Sequence, residues 1–224
     1  MGCSSGSAED ANLPKRSADS APGTRATEGA RGGKGFVTAV VEGELARGQL
    51  VVLREKTITD AERDYEWRRD PELATFDAAK PYGGSLPEYL AIARDEIAYP
   101  SRYRRTIAVE DFDGRHIGNV MFYNADYGRR EAEIGITIGL RDYWSRGYGT
   151  DLMRTFIAYL FEELSFERIY LKTLDWNHRA QKCFEKAGFH RYGASRRGEY
   201  NFILMDVRRQ EFDAEQPSSS IDAL

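Results

Sequence analysis

The chain has 224 residues and a formal net charge of -4 at pH 7, a length that suits one domain of ordinary size plus a tail. The mild negative charge and the scatter of basic residues, with no stripe, argue against nucleic acid as a partner. No apolar run is long enough to span a membrane, and two cysteines far apart, Cys3 and Cys183, make no disulfide framework and fit a reducing cytoplasm.

Residues 1 to 35 contain no aromatic residue and are dominated by Ser, Gly, Ala and charges. Such a composition cannot offset the entropy of ordering it, so residues 1–48 are expected to form a mostly disordered tail. Met1-Gly2-Cys3-Ser4-Ser5 invites a myristoylation reading, but Gly6 stands where that motif wants Ser or Thr. No apolar h-region follows, which excludes a signal peptide. Phe36 to Val41 is apolar enough for a short strand or an accessory segment.

Order is expected from residue 49 to 212. Leu50 to Leu53 reads as a first strand. Thr59-Asp60-Ala61-Glu62 is a capping box that starts a helix from about Asp60 to Arg69. A loop from Asp70 to Gly84 follows. Ser85-Leu86-Pro87-Glu88 is a second capping box, with Pro in the first turn, and its helix ends before Pro100. Arg105 to Glu110 is a second strand, Asp111-Phe112-Asp113-Gly114 a hairpin turn, and Ile117 to Tyr123 a third strand.

The most informative stretch is Glu131 to Thr150. Ile134, Ile136 and Ile138 alternate with Gly135 and Thr137, the period of a fourth strand with unlike faces. Then come Trp144, Ser145, Arg146, Gly147, Tyr148, Gly149 and Thr150. Glycines two apart strip Cβ atoms from a backbone entering a helix. Free N–H groups and the positive helix end then converge on one point, which favours a phosphate. The dinucleotide fingerprint fails because Met153 stands near its third glycine, and the Walker lysine is missing.

The helix after this turn carries Leu152, Met153, Phe156, Ile157, Leu160, Phe161 and Leu164 at spacings of three and four. Ile169 to Leu174 is a fifth strand. A helix follows with Ala180, Cys183, Phe184 and Ala187 on one stripe and Gly188 at its end. In that stripe Cys183 reads as a small buried hydrophobe rather than a nucleophile. Tyr192 and Tyr200 to Val207 mark two last strands joined near Arg197-Gly198. Residues 213–224 are polar and expected to be a flexible tail. No His, Cys or Asp grouping has metal-ligand spacing, so no metal is expected.

Ala132 to Gly135, the turn Trp144-Ser145-Arg146-Gly147-Tyr148-Gly149 and Asn177-His178-Arg179-Ala180 running into Glu185-Lys186-Ala187-Gly188-Phe189 form a joint pattern. It resembles the GNAT superfamily of acyl-CoA-dependent N-acetyltransferases, in particular the RimJ/RimL-type branch, over roughly Leu50 to Phe212. Trp144 stands where the family's general turn has Gln or Arg. The resemblance implies an α/β (α+β) fold: a mixed, mostly antiparallel seven-stranded sheet with a splayed central strand pair and about four helices. It implies acetyl-CoA as co-substrate, held by Ile136, Ile138, Trp144, Ser145, Arg146, Gly147, Tyr148, Gly149, Thr150, Asn177, Phe184 and Lys186. Asn177 is equally an N-cap for its helix.

The implied reaction is direct attack of a primary amine, either a protein N-terminal α-amine or a small-molecule amine, on the thioester. Most amines are protonated at neutral pH, so a base is needed. Glu133, on the family's carboxylate-bearing strand, is the candidate, and a backbone N–H near Ile138 would stabilise the oxyanion. Phe184 occupies the place of the family's usual tyrosine acid. Two other readings stay open: an aminoglycoside-type acetyltransferase and a non-catalytic acyl-CoA-binding module. The acceptor lip would be the Asp70–Gly84 loop and the hairpin near Gly198, offering Asp70, Glu72, Asp77 and Glu199 beside Lys80, Arg196 and Arg197. The resemblance leaves room for a homodimer.

Overall fold

A computed structural model describes residues 43–215. Their strands are β1 (Glu44–Arg47), β2 (Val52–Glu55), β3 (Arg105–Glu110), β4 (His116–Asp126), β5 (Glu131–Ile138), β6 (Arg168–Leu174), β7 (His190–Arg197) and β8 (Tyr200–Arg208). They form one sheet in the order β1-β2-β3-β4-β5-β6-β8-β7. Every neighbouring pair is antiparallel except β5 and β6. A parallel pair needs a crossover, and α4 (Tyr148–Glu162) supplies it. Its apolar stripe is the centre of the core: Leu152, Phe156, Ile157 and Leu160 are fully buried, against Ile107, Val109, Ile117, Val120 and Ile169 of the sheet.

The remaining helices are α1 (Ala61–Arg69), α2 (Pro71–Phe76), α3 (Leu86–Ala98), α5 (His178–Lys186) and α6 (Arg209–Glu215). The expected seven strands and four helices thus become eight and six. β1 falls inside the span read as a tail, which ends earlier than residue 48. The remaining expectations for residues 1–42, including the myristoylation motif and the Phe36–Val41 segment, lie outside the described residues. α2 stands inside the segment read as a loop. The Asp70 carboxylate caps it, accepting from the N–H groups of Glu72 and Leu73 at 2.9 and 3.1 Å, with Pro71 in the first turn. At the other end α6 runs past residue 212, because Phe212 is buried against Phe161.

The first capping box also lies two residues earlier than read. Thr57, not Thr59, pairs with Asp60, whose carboxylate accepts from the Thr57 N–H at 2.8 Å. Tertiary charge decides this register. Asp60 is buried and takes both Arg54 nitrogens at 2.8 Å, while Arg54 also reaches Glu110 at 2.6 Å. His116 lies beside them, its Nε2 2.8 Å from the Gly118 carbonyl and its Nδ1 3.5 Å from Asp60. The Ser85–Glu88 capping box forms as read. Among the described residues no helix is long and apolar enough to cross a membrane.

Candidate active site

β5 and β6 pair only through Glu131↔Arg168, Ala132↔Ile169 and Glu133↔Tyr170. Beyond Glu133 they part. The Gly139 N–H bonds the Ile117 carbonyl of β4. Backbone direction alternates along a strand, so the N–H groups of Ile136 and Ile138 turn the other way, into the fork. Above the fork opens a cleft of about 560 Å³, lined by Leu73, Phe76 and Asp77 of the α2 region together with the glycine turn and α5.

The turn is built for an anion. Gly147 is the N-cap of α4 with φ +92°, a left-handed conformation that suits glycine, and no side chain caps the helix. The N–H groups of the first helical turn therefore stay open. A Cβ on Gly149 would come within 3.1 Å of Cys183 Sγ, so a glycine lets α4 and α5 approach there. Asp151, the fourth residue of α4, spends its charge elsewhere: it accepts from the N–H groups of Gln49, Leu50 and Val51 at 3.0, 2.8 and 3.2 Å. That ties the β1–β2 connection to α4 and sets Leu50 behind Gly147. Arg179, Lys182 and Lys186 bring positive charge to the cleft from α5.

Trp144 closes the upper wall. Its Nε1 donates to the Ile138 carbonyl at 2.7 Å, and its ring carries the Arg179 guanidinium 3.7 Å from the centroid. Phe76 packs on the edge of the same ring.

A family model for the acetyltransferase (GNAT) domain matches residues 51–190, more than half of the chain. The chain belongs to the GNAT acetyltransferase family. Two curated relatives are similar to this GNAT chain. The putative ribosomal N-acetyltransferase YdaF of Bacillus subtilis (strain 168) is 28% identical over 111 residues, 47% of this chain and 60% of its own length. The chain thus spans less than two thirds of that relative. The uncharacterized N-acetyltransferase p20 of Bacillus licheniformis is 25% identical over 150 residues, 66% of this chain and 83% of its own. Two solved structures share the fold. The spermidine N-acetyltransferase from Vibrio cholerae, in complex with CoA and spermine, has a TM-score of 0.66 at 22% identity, covering 72% of this chain and 97% of that one. The aminoglycoside acetyltransferase AAC(6')-Ib, in complex with coenzyme A, has a TM-score of 0.63 at 23% identity, covering 73% and 98%. Both of those solved structures hold coenzyme A.

The anticipated cofactor residues fall into two groups in this GNAT site. Ile136, Ile138, Trp144, Ser145, Gly147, Gly149, Thr150, Asn177, Phe184 and Lys186 line the cleft. Arg146 and Tyr148 stand outside its lining: Arg146 is exposed and donates to the Asp142 carbonyl, and the Tyr148 ring packs on Tyr143. Asn177 caps α5, its side-chain oxygen accepting from the Ala180 N–H at 3.2 Å, while facing the cleft. Cys183 also lines the cleft, and burial pushes its thiol pKa up, away from a thiolate nucleophile.

Glu133 sits at the last paired position before the fork, buried and outside the cleft lining. Its Oε1 accepts from the Tyr123 hydroxyl at 3.0 Å and Lys172 Nζ at 2.9 Å, and its Oε2 from Asn124 Nδ2 at 3.0 Å. Burial and the Glu133 charge together push the Tyr123 phenol above its ordinary range. Among the described residues no group of three His, Cys, Asp or Glu could hold a metal ion. Sequence reasoning passed over Phe76 and Arg179. Arg179 was in view within the Asn-x-Arg-Ala motif, but its partner Trp144 lies 35 positions away.

Proposed function

We propose that the protein transfers the acetyl group of acetyl-CoA to a primary amine by direct attack. The observation that carries this reading is the fork after Glu133, which opens beside an uncapped α4 N-terminus. The residues fit the donor. The first-turn N–H groups and the α5 cations suit its phosphates, and the N–H groups of Ile136 and Ile138 suit an extended amide-bearing arm laid along β5. Acetyl-CoA supplies an activated thioester; the chain need only orient it, polarise its carbonyl and take up a proton.

Glu133 serves as the proton acceptor in this reading. Its Oε2 has one donor and two lone pairs, so it keeps capacity for a proton, directly or through a water. The N–H of Ile138, whose carbonyl Trp144 holds, is the donor to the developing oxyanion. The acceptor class is a primary amine, on a protein N-terminus or a small molecule. Thiol release from acetyl-CoA, followed with a panel of amines, tests the reading. Amine-dependent release is expected. Binding of acetyl-CoA without release by any amine would leave only an acyl-CoA-binding module.

A further inference from the structure

We propose that Lys172 is a positioning residue for the proton acceptor: its ammonium reaches across the fork, balances the Glu133 charge and fills Oε1, so that the amine's proton is taken at Oε2. This rests on the acetyl-transfer reading and names the group that aims its base.

Lys172 stands on β6 two residues past Tyr170, the last residue of that strand paired with β5. Residues two apart on a strand share a face, so Lys172 lies on the face of Glu133, one level beyond the joint. Had the pairing gone on, its partner would be Gly135, which puts no side chain there. The Lys172 Nζ turns back across that opening to Glu133 Oε1, at 2.9 Å.

The other two donors come from β4, through an irregularity. Successive strand residues point to opposite faces, yet Tyr123 and Asn124 both reach Glu133. The register of β4 against β5 shifts between Tyr123 and Asp126, and Asn124 has φ +52°. This bulge re-aims Asn124 onto Oε2. Oε1 accepts from Tyr123 and Lys172, which fills both of its lone pairs. Oε2 accepts from Asn124 alone and keeps one.

Charge singles out Lys172 among these donors. Asn124 is neutral. Burial, then the Glu133 charge, raises the Tyr123 phenol pKa, and the same causes in the same order raise that of Tyr170, which faces Glu133 from β6. Asp77 adds to the effect at Tyr123; at Tyr170, Glu131 adds to it and Arg168 opposes it. Both phenols stay protonated at neutral pH. Among the described residues Lys172 is the one cation paired with Glu133.

The test follows thiol release from acetyl-CoA with benzylamine in wild type, Lys172→Met and Lys172→Arg, each also in a Glu133→Gln background. Lys172 is 38% exposed, so its loss should leave the fold intact by circular dichroism. Lys172→Met should lower kcat at pH 7 about tenfold, the worth of one charge-assisted hydrogen bond, with KM for benzylamine within about threefold. Its rise of kcat with pH should move up by about one unit, because a buried carboxylate without its cation holds a proton more tightly. Lys172→Arg should recover most of the loss. In the Glu133→Gln background Lys172→Met should cost less than about twofold, since its effect runs through that carboxylate. An equal loss in both backgrounds, a change in KM alone, or an unmoved pH profile overturns the proposal. Wild type that releases no thiol with any amine would sink the acetyl-transfer reading instead. The carbon-13 carboxyl signal that Glu133→Gln removes then still decides: its titration should move to higher pH in Lys172→Met, and an unmoved titration overturns the proposal.

Discussion

The indole Nε1 of Trp144 donates to the backbone carbonyl of Ile138 at 2.7 Å, joining the glycine turn to the free end of β5. Both walls that would hold the donor are thereby fixed relative to each other. Trp144→Phe keeps a ring between Arg179 and Phe76 but removes the N–H. A hydrogen bond of this kind contributes about 1 kcal/mol, so acetyl-CoA affinity measured by calorimetry should fall about fivefold. Unchanged affinity would mean the turn holds its place without this tie.

Gly147 has φ +92°, and a Cβ there would meet Leu50 Cδ1 at 3.4 Å. A β-branched residue in that conformation is strained by more than about 1–2 kcal/mol. Gly147→Val should therefore twist the open N–H groups away and weaken acetyl-CoA binding by more than about tenfold, while circular dichroism shows the fold intact. A folded variant of full affinity would remove the turn from the donor site.

Glu133→Gln keeps the shape and drops the charge. Lys172, 38% exposed, stays solvated when its partner goes, so the fold should survive. A positioned base contributes about 10²–10⁴-fold. Turnover at neutral pH should fall by that order and recover partly at high pH, where more of the amine is already neutral. High activity of the variant at pH 7 would move the proton elsewhere.

Phe184 is buried against Phe189 and has no proton to give. A thiol of the cysteine kind has a pKa near about 8.5, so a thiolate leaves tolerably well without help. Turnover should rise with pH to a plateau, with no falling limb below about pH 9. Phe184→Tyr should change it by less than about tenfold. A falling limb near neutrality would point to an acid, and Tyr143 would be tested first because it lines the cleft. Its hydroxyl donates to Asp111 at 2.5 Å, and that bond raises its pKa, which makes it a reluctant donor.

Stability should be acid-sensitive through the charge cluster under α1. Burial and then the Lys56 charge pull the His116 pKa down. The unfolded chain binds that proton more readily, so this contribution is complete above about pH 6.5 and lost as pH falls through the lowered value. Burial disfavours the Asp60 carboxylate, but Arg54 and the Thr57 N–H outweigh it and hold its pKa well below the usual range. That contribution is complete above about pH 3.9 and lost below. Tm should bend downward below about pH 6.5, and His116→Gln should flatten that first part of the curve. A Tm constant from pH 7 to 5 would show that the cluster does not couple to folding.

What was legible in the sequence follows the range of the signals. The Ile134-Ile136-Ile138 alternation and the Leu152–Phe161 stripe repeat often enough to place β5 and α4. β1 has four residues and a polar context, and α2 has six, too short for a period to show. The Asp70-Pro71 start signal of α2 was present but had no apolar stripe behind it. Thr57–Asp60 and Thr59–Glu62 are equivalent locally; only the buried Arg54–Asp60 pair chooses between them. In the site, the glycine turn could be read because its chemistry is contiguous. The lip carboxylates could be named but not sorted, since nothing local says that Arg141 occupies Asp70 and Glu72.

The three-pair joint between β5 and β6 divides the sheet into two leaves, each drawn from its own stretch of the chain. In the first, β1 to β5 follow one another in the sheet as they do in the chain, with α1 to α3 inserted between β2 and β3. The second leaf, β6-β8-β7, is built within a short span. The joint, α4 and the stacking of Arg179 on Phe76 and Trp144 tie the leaves together. The gap where a ligand can lie is therefore also the seam between two stretches of chain.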